Sequence, residues 1–145
     1  MSKPLRVAII GCGSITLQNH VPGLALCPDT RVTALCDANP AVLERARGQT
    51  GVTVLSTRFE DVVGRRDVDA VIIATPNHSH PQIALAAVAQ GKHVLCEKPL
   101  ALNAADAFAM AEAAERAGVR HMTAFTYRFV PAMRYLRHLD RKSVV

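Results

Sequence analysis

The tripeptide Glu97-Lys98-Pro99 directly follows a short apolar run, His93-Val94-Leu95-Cys96. A run of that length reads as a buried strand, and the lysine then stands at its carboxyl end, the edge of an open α/β sheet where ligands bind. An ammonium at that place can stabilise an oxygen on which negative charge develops; taken without its neighbours it is a solvated loop charge. A second polar stretch, Thr75-Pro76-Asn77-His78-Ser79-His80-Pro81, follows another apolar run at 69–74. His78 or His80 could act there as acid or base, although histidines after a Pro-Asn turn serve as often as caps or as packing against a cofactor.

Near the N-terminus, Gly11-Cys12-Gly13-Ser14-Ile15-Thr16 follows the apolar run Val7-Ala8-Ile9-Ile10 and opens a helical stretch. That context suits a phosphate-binding turn. Gly11 permits the tight turn, Gly13 lets backbone approach a pyrophosphate, and a helix opening at Ser14 and Ile15 offers free N–H groups and a favourable dipole. Thr16 stands where a third glycine or alanine is usual, a position that serves helix packing more than phosphate contact. Alone the turn is a weak signal, and a methyltransferase loop looks similar. Asp37 discriminates, because it ends the second apolar run 21 residues after Thr16, where a carboxylate can accept hydrogen bonds from an adenosine ribose. It would also repel a 2′-phosphate, and Ala38 and Asn39 supply no arginine to hold one, so NAD is expected over NADP. The competing readings are that Asp37 caps the helix starting near Pro40, and that Arg45 or Arg47 swings in.

Positioning these groups requires parallel strands whose carboxyl ends share one edge. Apolar β-branched runs alternate with Ala/Leu-rich stretches, which predicts strands at 5–10, 31–37, 52–55, 69–74, 93–96 and 120–125, with helices at 14–27, 40–50, 59–65, 79–91, 103–118 and 131–140. The fold class expected is α/β: a doubly wound parallel sheet of about six strands with helices on both faces. Pro40 behind Asn39, Asn103 ahead of an alanine-rich stretch, and Gly91 and Gly118 mark helix starts and stops.

The chain has 145 residues, enough for one ordinary domain that buries about 68–70% of its unfolded surface. Half of it is apolar but only 4% is aromatic, which favours a helix-covered sheet over a sandwich or barrel. The net charge of +5 is localised: residues 1–119 carry 11 bases and 11 acids, whereas 120–145 carry Arg120, Arg128, Arg134, Arg137, Arg141 and Lys142 against Asp140 alone. Without dense clustering of its bases that tail does not predict nucleic-acid binding. No apolar run is long enough to span a bilayer, and no signal-peptide apolar region is present. Cys12, Cys27, Cys36 and Cys96 form no Cys-x-x-Cys pair and have no histidine at zinc spacing, so no metal site is expected. They read as reduced, mostly buried thiols of a cytoplasmic protein.

The residues together resemble the Gfo/Idh/MocA oxidoreductases, named for glucose-fructose oxidoreductase and inositol dehydrogenase. The resemblance spans 5–139 and rests on Gly11-Cys12-Gly13, Asn19-His20-Val21-Pro22, Asp37, Ala74-Thr75-Pro76-Asn77-His78-Ser79-His80, Glu97-Lys98-Pro99-Leu100-Ala101 and Tyr127-Arg128-Phe129-Val130-Pro131. It implies an N-terminal Rossmann domain at 1–125 that binds NAD(P) through Gly11, Gly13, Ser14, Ile15, Asp37, Thr75, Pro76, Asn77, His80 and Glu97. It further implies a catalytic Lys98 at the substrate, and an Arg128 that binds the substrate or touches the cofactor unless it is a surface charge. Glu97 is expected to orient Lys98 or the cofactor rather than to take a proton. The substrate implied is a sugar or polyol.

Thr126 stands where such proteins usually carry asparagine, and 126–145 is expected to be a terminal helix and tail leading toward a substrate domain absent from this chain. The chain is then a truncated dehydrogenase, catalytically incomplete alone; the alternative is a stand-alone dinucleotide-binding module. Apolar surface around Phe125, Phe129, Met133, Leu136 and Leu139 is expected to lie open and to drive self-association.

Overall fold

The computed structural model describes residues 3–143, with side chains described through residue 140. Six strands, β1 (Leu5–Ile10), β2 (Thr30–Cys36), β3 (Leu55–Ser56), β4 (Ala70–Ile73), β5 (His93–Cys96) and β6 (His121–Thr123), form one parallel sheet in the order β3-β2-β1-β4-β5-β6. This is a doubly wound order, with its reversal between β1 and β4; the carboxyl ends of those strands flank the crevice where such sheets take ligands.

Side chains alternate across the sheet, and both faces are buried beside β1 and β2. Ala8, Ile10, Ala34, Cys36, Val71 and Ile73 pack against α3 (Phe59–Val63), α4 (His80–Ala89) and α5 (Ala104–Arg116). Val7, Ile9, Leu35 and Ile72 pack on the other side against Leu43 and Ala46 of α2 (Pro40–Thr50) and against α1 (Val21–Ala25). Burial on both faces is why the strands read as continuous apolar runs rather than as alternating ones.

Local chemistry sets the helix ends. The Asn39 side chain accepts the N–H of Ala41 at 3.0 Å with Pro40 in the first turn, and Asn103 accepts that of Asp106 at 2.8 Å; such caps contribute about 1 kcal/mol each. Gly91 and Gly118 follow α4 and α5 with φ of 68° and 66°, in the left-handed region that glycine adopts freely. At the amino edge Arg6 grips Asp69 through Nε and Nη2 at 2.8 and 2.6 Å, tying β1 to the start of β4.

Several elements differ from the expected spans. The helix expected at 14–27 is π-helical over Thr16–His20 before α1 begins, and at its start the fully buried Thr16 hydroxyl donates to the Gly11 carbonyl at 2.5 Å. β3 shortens to Leu55–Ser56, since it lies at the sheet edge and pairs only with the last two residues of β2. β6 ends at Thr123, where Phe125 N–H turns back to the Thr123 carbonyl at 2.8 Å. A 3-10 turn, Asn77–Ser79, precedes α4.

Two surfaces lack a helical cover among the described residues. On the α1 side, Leu5, Ala70, Ile72, Leu95 and Met122 line an apolar hollow of about 390 Å³ over β4, β5 and β6. The last helix, α6 (Pro131–Ser143), leaves Met133, Leu136 and Leu139 exposed, and Phe125 and Phe129 lie open beside it. The residues of the tail beyond 143 fall outside those described.

Candidate functional site

The strand order brings together what the sequence separates. A cleft of about 750 Å³ opens at the carboxyl edge between β1, β2 and β4, lined by Gly11, Gly13, Ser14, Ile15, Asp37, Thr75 and Pro76, with Ala38, Asn39, Thr57 and Phe59 on its β2 side. A second hollow of about 750 Å³ lies at the opposite, amino edge, lined by Thr30, Thr33, Gly51 and Asp67 among others; it has no Gly-x-Gly turn.

Gly11 has φ +94°, and a Cβ there would run into the Ala74 carbonyl, so the protein itself demands glycine. At Gly13 no protein atom lies within 4 Å of an added Cβ. Gly13 lines the cleft, so the room it leaves is room for a ligand. The helix that opens at Ser14 leaves its first N–H groups without intrahelical acceptors, which suits a pyrophosphate.

Asp37 is half-buried at the end of β2. Its Oδ2 accepts the Cys12 N–H at 2.8 Å and its Oδ1 accepts that of Asn39 at 2.9 Å. It does not cap α2; Asn39 does, because its own side chain reaches Ala41. Burial, and then the neighbouring Asp37 charge, push the Cys12 thiol up to about 12. Burial also pushes Cys36 and Cys96 up to about 12, so these thiols are packing groups rather than nucleophiles. Cys27 is the exposed one.

The histidines after β4 separate. His78 lies exposed on the cleft wall. His80 is fully buried, its Nε2 2.9 Å from the Thr75 carbonyl oxygen and its Nδ1 3.1 Å from that of Pro99. It clamps the loop after β4 to the loop after β5 and does not line the cleft; nor does Asn77.

Past β5, Glu97 is 7% exposed while Lys98 is exposed, so the carboxylate points in and the ammonium out. Glu97 Oε1 meets His20 Nε2 at 2.9 Å, and Oε2 accepts the backbone N–H of Lys98 at 3.1 Å. The Lys98 ammonium has no ion pair or hydrogen bond among the described residues. Arg128 sits apart from the cleft, in a hollow of about 510 Å³ with Phe125, Tyr127, Met133, Arg134, Arg137 and His138. The role of His20, in the Asn-His-Val-Pro stretch, is not legible in the sequence, since its partner lies 77 residues away.

A family model described as "Oxidoreductase family, NAD-binding Rossmann fold" matches residues 5–125, the whole sheet and its cleft. The chain belongs to the Gfo/Idh/MocA oxidoreductase family. Among Gfo/Idh/MocA relatives, it is 35% identical to D-apiose dehydrogenase of Paraburkholderia graminis, over 99% of this chain and 38% of that protein. It is 31% identical to myo-inositol 2-dehydrogenase of Thermotoga maritima, over 86% and 37%. The fold is also similar to the WlbA dehydrogenase of Bordetella pertussis in complex with NADH and UDP-GlcNAcA, at TM-score 0.90 and 29% identity, covering 97% of this chain and 42% of that one. KijD10, a 3-ketoreductase from Actinomadura kijaniata in complex with NADP and TDP-benzene, gives TM-score 0.89 at 29% identity, over 99% and 44%. The chain thus spans about two fifths of the length of these Gfo/Idh/MocA proteins.

Proposed function

We propose that this chain is the dinucleotide-binding part of an NAD-dependent sugar or polyol dehydrogenase, with residues 126–145 leading out of the cofactor unit toward the substrate. The observation that carries the reading is Asp37, a carboxylate on the cleft wall braced by two backbone N–H groups. Its two protein donors leave acceptor capacity for ribose hydroxyls, and its charge disfavours a 2′-phosphate. Arg47 is engaged with Glu44 at 2.7 Å, and neither Arg45 nor Arg47 lines the cleft. The cofactor, when bound, supplies the hydride acceptor. Gly13 and the helix start beside it would hold the pyrophosphate, Asp37 would hold the adenosine ribose, and Thr75 and Pro76 would form the wall toward the nicotinamide. Lys98, exposed and without a side-chain partner among the described residues, would meet the substrate oxygen and stabilise the negative charge it gains as its proton leaves. Arg128, in its separate hollow, reaches the substrate from the α6 side.

Calorimetric titration of the chain with NAD and NADP tests this. NAD is expected to bind at least tenfold more tightly than NADP, and Asp37→Ala to abolish the difference; equal affinities in the parent protein would overturn the preference, and no binding of either would overturn the function. Sugars and polyols supply the panel against which turnover is assayed, with Lys98→Ala expected to lower any kcat far more than it weakens NAD binding.

A further inference from the structure

The contact between His20 and Glu97 crosses the carboxyl edge of the sheet. His20 ends the π-helical turn that follows the glycine turn of β1, whereas Glu97 follows β5, and β4 lies between their strands. Both side chains are close to fully enclosed, at 12% and 9% exposure. A carboxylate is costly to bury unless its oxygens are satisfied, and here each oxygen has one donor, His20 Nε2 on one and Lys98 N–H on the other. Because the carboxylate accepts only, the His20 nitrogen that faces it carries the hydrogen. Widening to a π-turn is rare and recurs at functional sites, and here the widened turn ends on His20.

Polarity along the crevice says what this pair faces. Asp37 would hold the adenosine end on the β2 side and the glycine turn the pyrophosphate at β1, so a bound dinucleotide would run on across β4 with its nicotinamide end toward β5. The cleft lining ends on that side at Thr75, Pro76, His78 and Ser79, and Glu97 stands one strand further along the same edge. An oxidised nicotinamide is a cation and a reduced one is neutral, so a nearby fixed carboxylate separates the two forms by Coulomb attraction alone.

We propose that His20 is a positioning residue that locks the Glu97 carboxylate beside the nicotinamide end of the crevice, where its charge favours the oxidised cofactor over the reduced one. The inference rests on the dinucleotide reading above and adds to it a residue outside the cleft lining and a redox preference. The Lys98 ammonium opposes the effect from the exposed side, and water screens both, so the expected shift is about 3- to 10-fold rather than several hundredfold.

The test is calorimetric titration of the 145-residue chain with NAD+, NADH and ADP-ribose, which lacks the nicotinamide. Relative to the parent, Glu97→Gln is expected to lower the ratio of NADH to NAD+ dissociation constants about 3- to 10-fold while ADP-ribose affinity stays within twofold. His20→Ala is expected to lower the ratio in the same direction by freeing the carboxylate, and His20→Gln, which restores a donor, to recover most of it. A ratio unchanged by Glu97→Gln overturns the proposal. So does a parallel fall in affinity for all three ligands, including loss of ADP-ribose binding, because that is the signature of a tether that only holds the fold. A parent chain that binds none of the three instead overturns the dinucleotide reading on which this one stands.

Discussion

The Nδ1 of His80 lies 3.1 Å from the carbonyl oxygen of Pro99, and the same ring reaches the Thr75 carbonyl with Nε2 at 2.9 Å. One fully buried imidazole therefore holds together the two loops that carry the polar groups of the site. Its removal leaves a cavity and takes away the ring N–H that one of these carbonyl oxygens accepts. His80→Ala is expected to cost about 2–4 kcal/mol in urea unfolding, while NAD affinity of the folded protein changes little. A large loss of affinity at unchanged stability would make His80 a ligand-contacting group.

The two glycines of the turn answer to different partners. Gly11→Ala places a methyl group against the Ala74 carbonyl at a positive φ, and the expected cost is about 3 kcal/mol or more. At Gly13 the protein leaves the space open, so Gly13→Ala is expected to change stability by less than about 1 kcal/mol and to weaken NAD about tenfold or more. Equal stability losses at the two positions would contradict this division.

Acid sensitivity follows from Asp69. Hydrogen bonds from the Arg6 guanidinium hold its carboxyl well below the usual carboxylate range, as Arg65 holds that of Asp67 lower to a lesser degree. A carboxyl that is more acidic folded than unfolded contributes its full stability above the ordinary value of about 4 and loses it as pH falls toward the folded value. The Asp69 side chain is 34% exposed, so solvent reduces the effect. Asp69→Asn is expected to lower the urea midpoint at pH 7 and to make it less dependent on pH below about 4. Identical acid profiles for the two proteins would exclude Asp69 as a source.

Apolar surface also has a consequence in solution. Phe129 is 62% exposed, Leu136 57% and Met133 45%, and the hollow over β5 and β6 adds Met122 at 50%. We expect the 145-residue chain to self-associate with rising concentration in light scattering. Met133→Lys with Leu136→Lys is expected to reduce this without lowering the thermal midpoint, since neither side chain is buried. A parent chain that remains monomeric at high concentration would remove the expectation.

Much of this protein was legible one turn at a time. The runs at Val7-Ala8-Ile9-Ile10 and Ala70-Val71-Ile72-Ile73, the caps at Asn39 and Asn103, the positive φ at Gly11 and the acid at Asp37 follow from chemistry within a few residues or from a spacing tied to one βαβ unit. That was enough for a doubly wound sheet and for seven residues that line its cleft: Gly11, Gly13, Ser14, Ile15, Asp37, Thr75 and Pro76.

Other positions have their meaning only in the assembled sheet. Asn77, His80 and Glu97 share the carboxyl edge with that cleft without lining it, His80 because its ring is spent on Thr75 and Pro99, and Glu97 because it turns inward to His20. The sequence alone determined which residues could form strands, turns and caps, because those preferences act between neighbours along the chain. Which strand lies beside which, and therefore which side chain meets His20, His80 or Asp37, was decided by tertiary packing, since contacts across 19, 25 or 77 residues form only when the sheet order brings their loops to one edge.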